Sequence, residues 1–396
     1  MTDHLSFRAY RERLFAFIAR HANALRANAH DASAEVSAQF DALARTLFAL
    51  QFHHVLPFRQ FCKARGKTPD EVAGWREIPA MPAAAFKEFD LTSLSAAQRT
   101  TAFHSSGTTQ QRPSRHYHSA ESLQLYEASL LPWFKTHVVP ELSARTAVTP
   151  GSSTPATERS SFLILTPPPP EAPHSSLVHM FESVRRVFGA PDSLFVGTTD
   201  STGSWLLNND AALSALRQSI DQSRPRVLLG TAFSFVHLLD VLGEERIFLQ
   251  LPAGSRLVET GGYKGRSRAL SKSEFHAMIT EYLGIPPTCI VSEYGMSELS
   301  SQAYDRVAGE KAIGGCLQFP PWARVQIISP ETGAAVDDNE IGLIRVFDLA
   351  NVYSVFAVET EDLGIRRGDR LELVGRAAHA EAKGCSLLNL EIADGR

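Results

Sequence analysis

Apolar residues recur at every third or fourth position through the first fifty residues. Phe7, Tyr10, Leu14, Phe17 and Ile18 form one stripe, and Val36, Phe40, Leu43, Leu47 and Phe48 form another; each predicts a helix. The stretch "ANAHDASAE" between them offers Asp31 or Ser33 as the cap of the second helix. The proline-punctuated "EIPAMPAAAFKEFDL" follows and leads into the polar "FHSSGTTQQRPSRHYHS". Ser, Thr and Pro dominate "LSARTAVTPGSSTPATERSS", which reads as a long exposed loop. Beyond it, short apolar runs alternate with helical ones. The strands "FLILT", "RVLLG", "RLVET" and "CIVS" are interleaved with helices at "LVHMFESVRRVF", "FSFVHLLDVL" and "KSEFHAMITEYL". This alternation predicts a mainly parallel sheet covered on its faces, an α/β fold. From "ARVQIIS" through "EIGLIRVFDL" to "RLELVG" the chain is rich in strands and poor in helices, which suggests a small separate β unit. No internal repeat is present.

The polar residues gather in the turns after these strands, and open α/β sheets bind ligands at the carboxyl ends of their strands. In "HSSGTTQQRPS", Ser105, Ser106, Gly107, Thr108 and Thr109 offer hydroxyls and consecutive backbone N–H groups around a glycine. Such loops wrap phosphate oxygens; a plain polar turn is an equally good reading of the composition. No Gly-Lys-Ser/Thr follows, so this is not a Walker A loop. Arg112 and Arg115 can add cationic contacts. In "SEYGMSE", Tyr294 can stack on a flat ring, Ser297 can donate to a phosphate, and Glu298 is a hard oxygen ligand suited to Mg²⁺. The alternative is a strand-to-helix turn that Ser297 or Glu298 merely caps. Gly261 and Gly262 in "GGYKG" permit close backbone approach, although a tight turn is the better reading of that stretch taken alone. Glu359, Glu361 and Asp362 in "VETEDLG" include a carboxylate able to hold ribose hydroxyls, or form a solvated acidic turn.

Composition acts mainly by exclusion. The chain has 396 residues, 21% of them charged, with a net charge of −4, so it has no basic field for nucleic acid. The N-terminus carries charges where a signal peptide needs an apolar core, and no run reaches membrane-spanning length; the expected location is the cytoplasm. Four cysteines, Cys62, Cys289, Cys316 and Cys385, lack pairing or metal spacing, so reduced thiols are expected. The close pairs His53–His54 and His116–His118 lack a third ligand at a zinc spacing.

The ordered set "SSGTT", "GGYK", "YGMSE", "EDLG" and "GR" resembles the motif series of the adenylate-forming superfamily, which joins a carboxylate to ATP and releases pyrophosphate. Together with "IPAMPAAAFKEFD" and the "KGCSL" tail, it is most similar to the acyl-protein synthetases of the bioluminescence fatty-acid reductase system, the LuxE type. Phenylacetate–CoA ligases are the next most similar group. The resemblance runs from about residue 78 to the end and implies three parts: an N-terminal helical region (1–77), an adenylation domain of helix-sandwiched sheets (78–375) and a short tail (376–396).

The roles it implies are these. Ser105, Ser106, Gly107, Thr108 and Thr109 form the phosphate loop. Gly261, Gly262 and Tyr263 line the adenine, and Tyr294 packs on it. Ser297 touches the α-phosphate, Glu298 holds Mg²⁺, and Asp362 binds the ribose with Arg376 nearby. The implied cofactors are ATP and Mg²⁺. Two departures stand out. The usual loop continues Thr-Gly-x-Pro-Lys, whereas here Gln110 and Gln111 follow Thr109, and Arg112 stands where it can replace the lysine. Larger relatives carry a C-terminal lid domain of about a hundred residues; only twenty residues follow Arg376, so the lid is expected to be absent or reduced to a tail.

An acyl-adenylate needs a nucleophile, and a thiolate is the best side-chain candidate. Cys385 follows Gly384, which frees the chain to swing, and Lys383, which favours the thiolate. His379, six residues before it, is a candidate base. In the acyl-protein synthetases a cysteine near the C-terminus accepts the acyl group and passes it to a reductase subunit; Cys385 matches that position. The apolar runs "SSLVHMF" and "GTAFSFVHLL" either wall an acyl pocket or pack the core. The expected function is therefore activation of a carboxylic, fatty or aryl, acid followed by transfer to Cys385 for a partner reductase or carrier protein. The alternatives are a ligase that delivers to CoA, an amine or a carrier protein, and a catalytically silent subunit of a reductase complex.

Overall fold

Both N-terminal stripes lie in helices, α1 (Phe7–Ala24) and α2 (Ala34–His54), and all their residues except the half-buried Phe7 are buried, in the computed structural model, which describes residues 6–24, 34–105, 112–142, 159–261, 270–312 and 315–377. The proposed caps Asp31 and Ser33, and residues 143–158 of the expected exposed loop, lie outside the described residues. The chain divides into two compact units. One comprises Met1–Leu130, Met296–Gln302 and Cys316–Arg396, and the other Leu131–Gly295 and Ala303–Gly315. Helices α1 and α2 thus share a unit with the strand-rich end of the chain, a grouping that no division by consecutive residues produces.

In the first unit, α3 (Leu56–Lys63) buries Phe58, Phe61 and Cys62, and Phe48 of α2 packs edge-on against Phe58. Then come β1 (Met81–Pro82), α4 (Ala85–Glu88) and the antiparallel pair β2 (Thr101–His104) and β3 (Arg115–His118). Helix α5 (Ala120–Val138) carries the chain into the second unit.

There the predicted alternation is realised. In order, the elements are β4 (Ser161–Ile164), α6 (Ser176–Phe188), β5 (Leu194–Phe195), β6 (Gly197–Thr199), β7 (Trp205–Leu207), α7 (Asn209–Asp221) and β8 (Arg226–Thr231). They continue with α8 (Ala232–Glu244), β9 (Arg256–Thr260), α9 (Lys272–Leu283), β10 (Ile290–Tyr294) and β11 (Ala303–Tyr304). The six-stranded sheet has the order β11-β10-β9-β8-β4-β5. All its pairings are parallel except β10 with β11. Every residue of β4 is buried, as expected of a parallel strand covered on both faces. Leu163 and Leu165 join a core with Phe235, Leu239, Phe275 and Ile279, while Phe162 meets Phe134 of α5. The apolar face of "FSFVHLL" belongs to this core, and in "SSLVHMF" Val178, Met180 and Phe181 are buried. Core packing thus accounts for both runs.

The chain returns to the first unit with β12 (Ala323–Ile328), β13 (Ile341–Asp348), β14 (Ala357–Arg367) and β15 (Arg370–Arg376). Strand β14 is the hub. It pairs antiparallel with β13 along one edge; along the other, β1 pairs in parallel at Val358 and Glu359, and β15 pairs antiparallel from Asp362 onward. The dipeptide Met81–Pro82, from the proline-punctuated segment, thereby becomes an edge of the terminal sheet.

Candidate active site

The first unit holds the larger share of the candidate residues. The loop after β2 begins with Ser105, whose Oγ accepts the backbone N–H of Ser114 at 3.1 Å. The Ser114 Oγ lies 3.4 Å from the Ser297 Oγ, and the latter donates to Glu298 Oε2 at 3.0 Å. Glu298 is buried. Burial raises its carboxyl above the ordinary carboxylate range, and the Glu361 carboxylate adds to this; the Ser114 hydroxyl, a backbone N–H and the Ser297 hydroxyl oppose it. Glu298 has no ion-pair partner among the described residues. A buried carboxylate flanked by two hydroxyls and lacking a counter-charge is a hard-oxygen donor set that fits Mg²⁺, which takes one or two carboxylates and completes its shell with phosphate and water.

The backbone around Glu298 is held by buried side chains. His116 of β3 donates from Nδ1 to the Ser297 carbonyl at 2.9 Å. A carbonyl only accepts, so Nδ1 carries the proton, and burial lowers the imidazole pKa to about 4, leaving the ring neutral. Asn351 donates from Nδ2 to the Glu298 carbonyl at 2.7 Å. Downstream, the backbone N–H groups of Ser300 and Ser301 each reach Asp348 Oδ2 at 2.8 Å, and the Ser301 hydroxyl reaches Oδ1 at 2.7 Å. Burial is the main reason the Asp348 carboxyl is raised, and these donors pull against it. Gln51 of α2 donates to the Asn351 carbonyl at 2.7 Å and accepts from the Phe356 N–H at 3.1 Å, fastening the turn that carries Asn351.

Asp362 sits at a bulge of β14, opposite Arg376 in register, and the Arg376 Nε lies 3.3 Å from Asp362 Oδ1. Glu359, the first carboxylate of "VETEDLG", is instead paired with Arg345 at 2.8 Å. Arg112 is exposed at the approach to β3. Ser106, Gly107, Thr108 and Thr109 lie outside the described residues, as do Gly262, Tyr263, His379 and Cys385. Cys62 is buried and its thiol is pushed up to about 12, with desolvation the main cause; a thiol so raised is a packing residue rather than a nucleophile.

In the second unit Tyr294 ends β10 and is buried. Gly261 follows β9 with φ of +78°, a backbone conformation that favours glycine, and a Cβ there would meet nothing within 4 Å. Beside them lie carboxylates that the motif reading overlooked. Glu259 accepts from the Ser292 hydroxyl at 2.6 Å, and burial raises its carboxyl. Glu293 is pushed up to about 7 by burial, with the Glu259 charge adding to the shift and the Thr260 hydroxyl opposing it. Asp305 is held low by Arg306 and Lys272 against its burial.

Reading motifs alone also missed Ser114, Asn351 and Asp348, and took His116 only as half of a close histidine pair. One signal was available for the buried acids: Glu259, Glu293 and Asp348 all lie in or at the end of apolar strand runs, where an ionisable residue is unusual.

The fold has counterparts among solved structures. Two structures of 2-hydroxyisobutyryl-CoA ligase share the fold. The first, in the postadenylation state with 2-HIB-AMP, has a TM-score of 0.61 at 11% identity, covering 87% of this chain and 68% of that one. The second, with 2-HIB-AMP and CoA in the thioesterification state, has a TM-score of 0.61 at 12% identity over 87% and 69%. The α/β fold of this chain is therefore shared with these two ligase structures. The family model described as acyl-protein synthetase, LuxE, matches residues 177–392, and the chain belongs to this family. Two long-chain-fatty-acid–luciferin-component ligases are similar in sequence. That of Aliivibrio fischeri is 26% identical over 174 residues, covering 40% of this chain and 44% of its own length. That of Vibrio harveyi is 26% identical over 191 residues, covering 45% and 48%. The chain thus spans about half the length of the curated relatives it matches.

Proposed function

We propose that the protein activates a fatty acid with ATP as an acyl-adenylate and transfers the acyl group to Cys385 as a thioester, from which a partner acyl reductase takes it. The reading is carried by the buried Glu298 carboxylate, flanked by the Ser114 and Ser297 hydroxyls and without a counter-charge among the described residues. It is supported by a family match that spans Tyr294, Ser297, Glu298, Asp362, Arg376 and Cys385. The long-chain fatty acid comes from the names of the two similar ligases.

In the first step a carboxylate oxygen attacks the α-phosphorus of ATP, and the bond to pyrophosphate breaks. Negative charge spreads over the phosphate oxygens, and preorganised donors that meet it supply the largest share of the acceleration. Ser105, Ser106, Gly107, Thr108 and Thr109 bind the phosphates, with Arg112 adding a cation. Gly261, Gly262, Tyr263 and Tyr294 hold the adenine, and Asp362 orients the ribose beside Arg376. Mg²⁺, when bound at Glu298, neutralises phosphate charge. In the second step the Cys385 thiol gives its proton to His379, its sulfur attacks the acyl carbon, and AMP leaves. A tethered thiol raises the local nucleophile concentration.

The test incubates wild type and Cys385→Ser with ATP, Mg²⁺ and labelled fatty or aryl acids. Pyrophosphate exchange is expected in both, and hydroxylamine-sensitive label only on the wild type. Equal label on the variant would remove the role of Cys385. Turnover of CoA by the variant would make the protein an acid–CoA ligase, and absence of exchange with every acid would leave a silent subunit.

A further inference from the structure

Glu298 has a peptide plane on each side of its Cα, and each plane is held by a different buried side chain. The Ser297 carbonyl, on the preceding peptide, accepts from His116 Nδ1 at 2.9 Å. The Glu298 carbonyl, on the following peptide, accepts from Asn351 Nδ2 at 2.7 Å. Peptide units are planar, so a residue has only two soft backbone dihedrals. Pinning both flanking planes fixes both dihedrals, and with them the direction of the Cα–Cβ bond.

Both donors are themselves immobilised. His116 is 2% exposed and lies on β3, two residues past the Ser114 hydroxyl that helps hold Glu298, with its ring 4.2 Å from that of His118. Asn351 is also 2% exposed. Its Oδ1 accepts the Ser300 hydroxyl at 2.6 Å, and its Nδ2 also reaches the Val355 carbonyl at 3.2 Å. Its own carbonyl is held by Gln51.

We propose that His116 and Asn351 are positioning residues that lock the peptide planes on either side of Glu298 and so aim its carboxylate at the Mg²⁺–phosphate group. This rests on the adenylation reading above. Both act through the backbone of Glu298. They act as the outer partners of metal ligands generally do, where loss costs about 10- to 100-fold in metal affinity or activity.

The experiment measures pyrophosphate exchange against Mg²⁺ concentration for wild type, His116→Phe and His116→Asn. Phenylalanine keeps the ring and loses the donor, whereas the asparagine amide restores a donor close to the Nδ1 position. His116→Phe is expected to raise the Mg²⁺ concentration for half-maximal exchange about 10-fold, and His116→Asn to recover most of that loss. An unmoved Mg²⁺ dependence in His116→Phe, or equal loss in both variants, would overturn the proposal. Absence of exchange in the wild type would instead overturn the adenylation reading. An independent readout is the histidine ¹⁵N spectrum of the wild type, which needs neither a folded variant nor turnover. The His116 ring is expected as the Nδ1–H tautomer, and an Nε2–H tautomer would refute the clamp.

Discussion

Glu293 should make the second unit less stable as pH rises, and replacing it with glutamine should remove that dependence. The carboxyl is fully enclosed near the end of β10, and burial lifts its pKa from 4.5 to about 7. The sign follows from linkage. A carboxyl whose folded pKa is raised binds its proton more tightly in the folded state, so its contribution is intact below 4.5 and is lost as pH climbs through about 7. A tenfold change in an ionisation equilibrium is worth about 1.4 kcal/mol, so the full loss is about 3 kcal/mol, most of it between pH 5 and 8. That is a large share of the roughly 5–15 kcal/mol that stabilises a typical domain. His116 and His276, both lowered to about 4 by burial, work in the opposite direction below neutrality, so wild type must be compared with Glu293→Gln at each pH. Glutamine keeps an oxygen for the Thr260 hydroxyl and cannot ionise. Urea unfolding from pH 5 to pH 8, with hydrogen exchange of the β9 and β10 amides to follow this unit, should show the variant gaining about 2–3 kcal/mol on the wild type as pH rises. Parallel stability curves would refute the assignment of a desolvated carboxyl to Glu293.

Three further outcomes follow from the same physics. Glu298→Gln keeps the shape and removes the charge; it should lower pyrophosphate exchange about 100-fold or more without lowering the melting temperature, and the wild-type exchange should fall on the acid side because only the ionised carboxylate serves and burial raises its pKa. Asp348→Ala strands the N–H groups of Ser300, Ser301 and Ala350 and the Ser301 hydroxyl, so denaturant unfolding should show a loss of at least about 3 kcal/mol. Gly284 ends α9 at φ +69°, and a Cβ there would lie 2.6 Å from Gln250 Oε1; Gly284→Ala should cost about 2 kcal/mol in the same assay.

Much of the second unit was legible because its elements are written locally. The strands "RVLLG" and "RLVET" and the helices "FSFVHLLDVL" and "KSEFHAMITEYL" each carry their own period, and α9 even carries its capping box, Ser271 with Glu274. The ordered motifs around Ser105, Ser297, Glu298 and Asp362 were equally visible, because each is a short run of neighbouring residues. His116 was noticed only as half of a histidine pair. Its bond joins it to a carbonyl 181 residues away, and neither "RHYH" nor "GMSE" records that distance.

The sequence by itself determined the α/β class, the alternation of β8 through β10 with their helices, and the family, because periodicity and motif order are properties of neighbouring residues. Only the tertiary structure decided how Glu298 is held. Gln51 and Asn351 are 300 residues apart, and β1 joins the terminal sheet through Val358 and Glu359. Such pairings depend on which distant backbone groups are buried together and must then satisfy one another's hydrogen bonds. Glu293 makes the same point in its pKa: a carboxyl in "IVSEY" reads as an ordinary acid along the chain, and only enclosure by the folded sheet moves it to about 7.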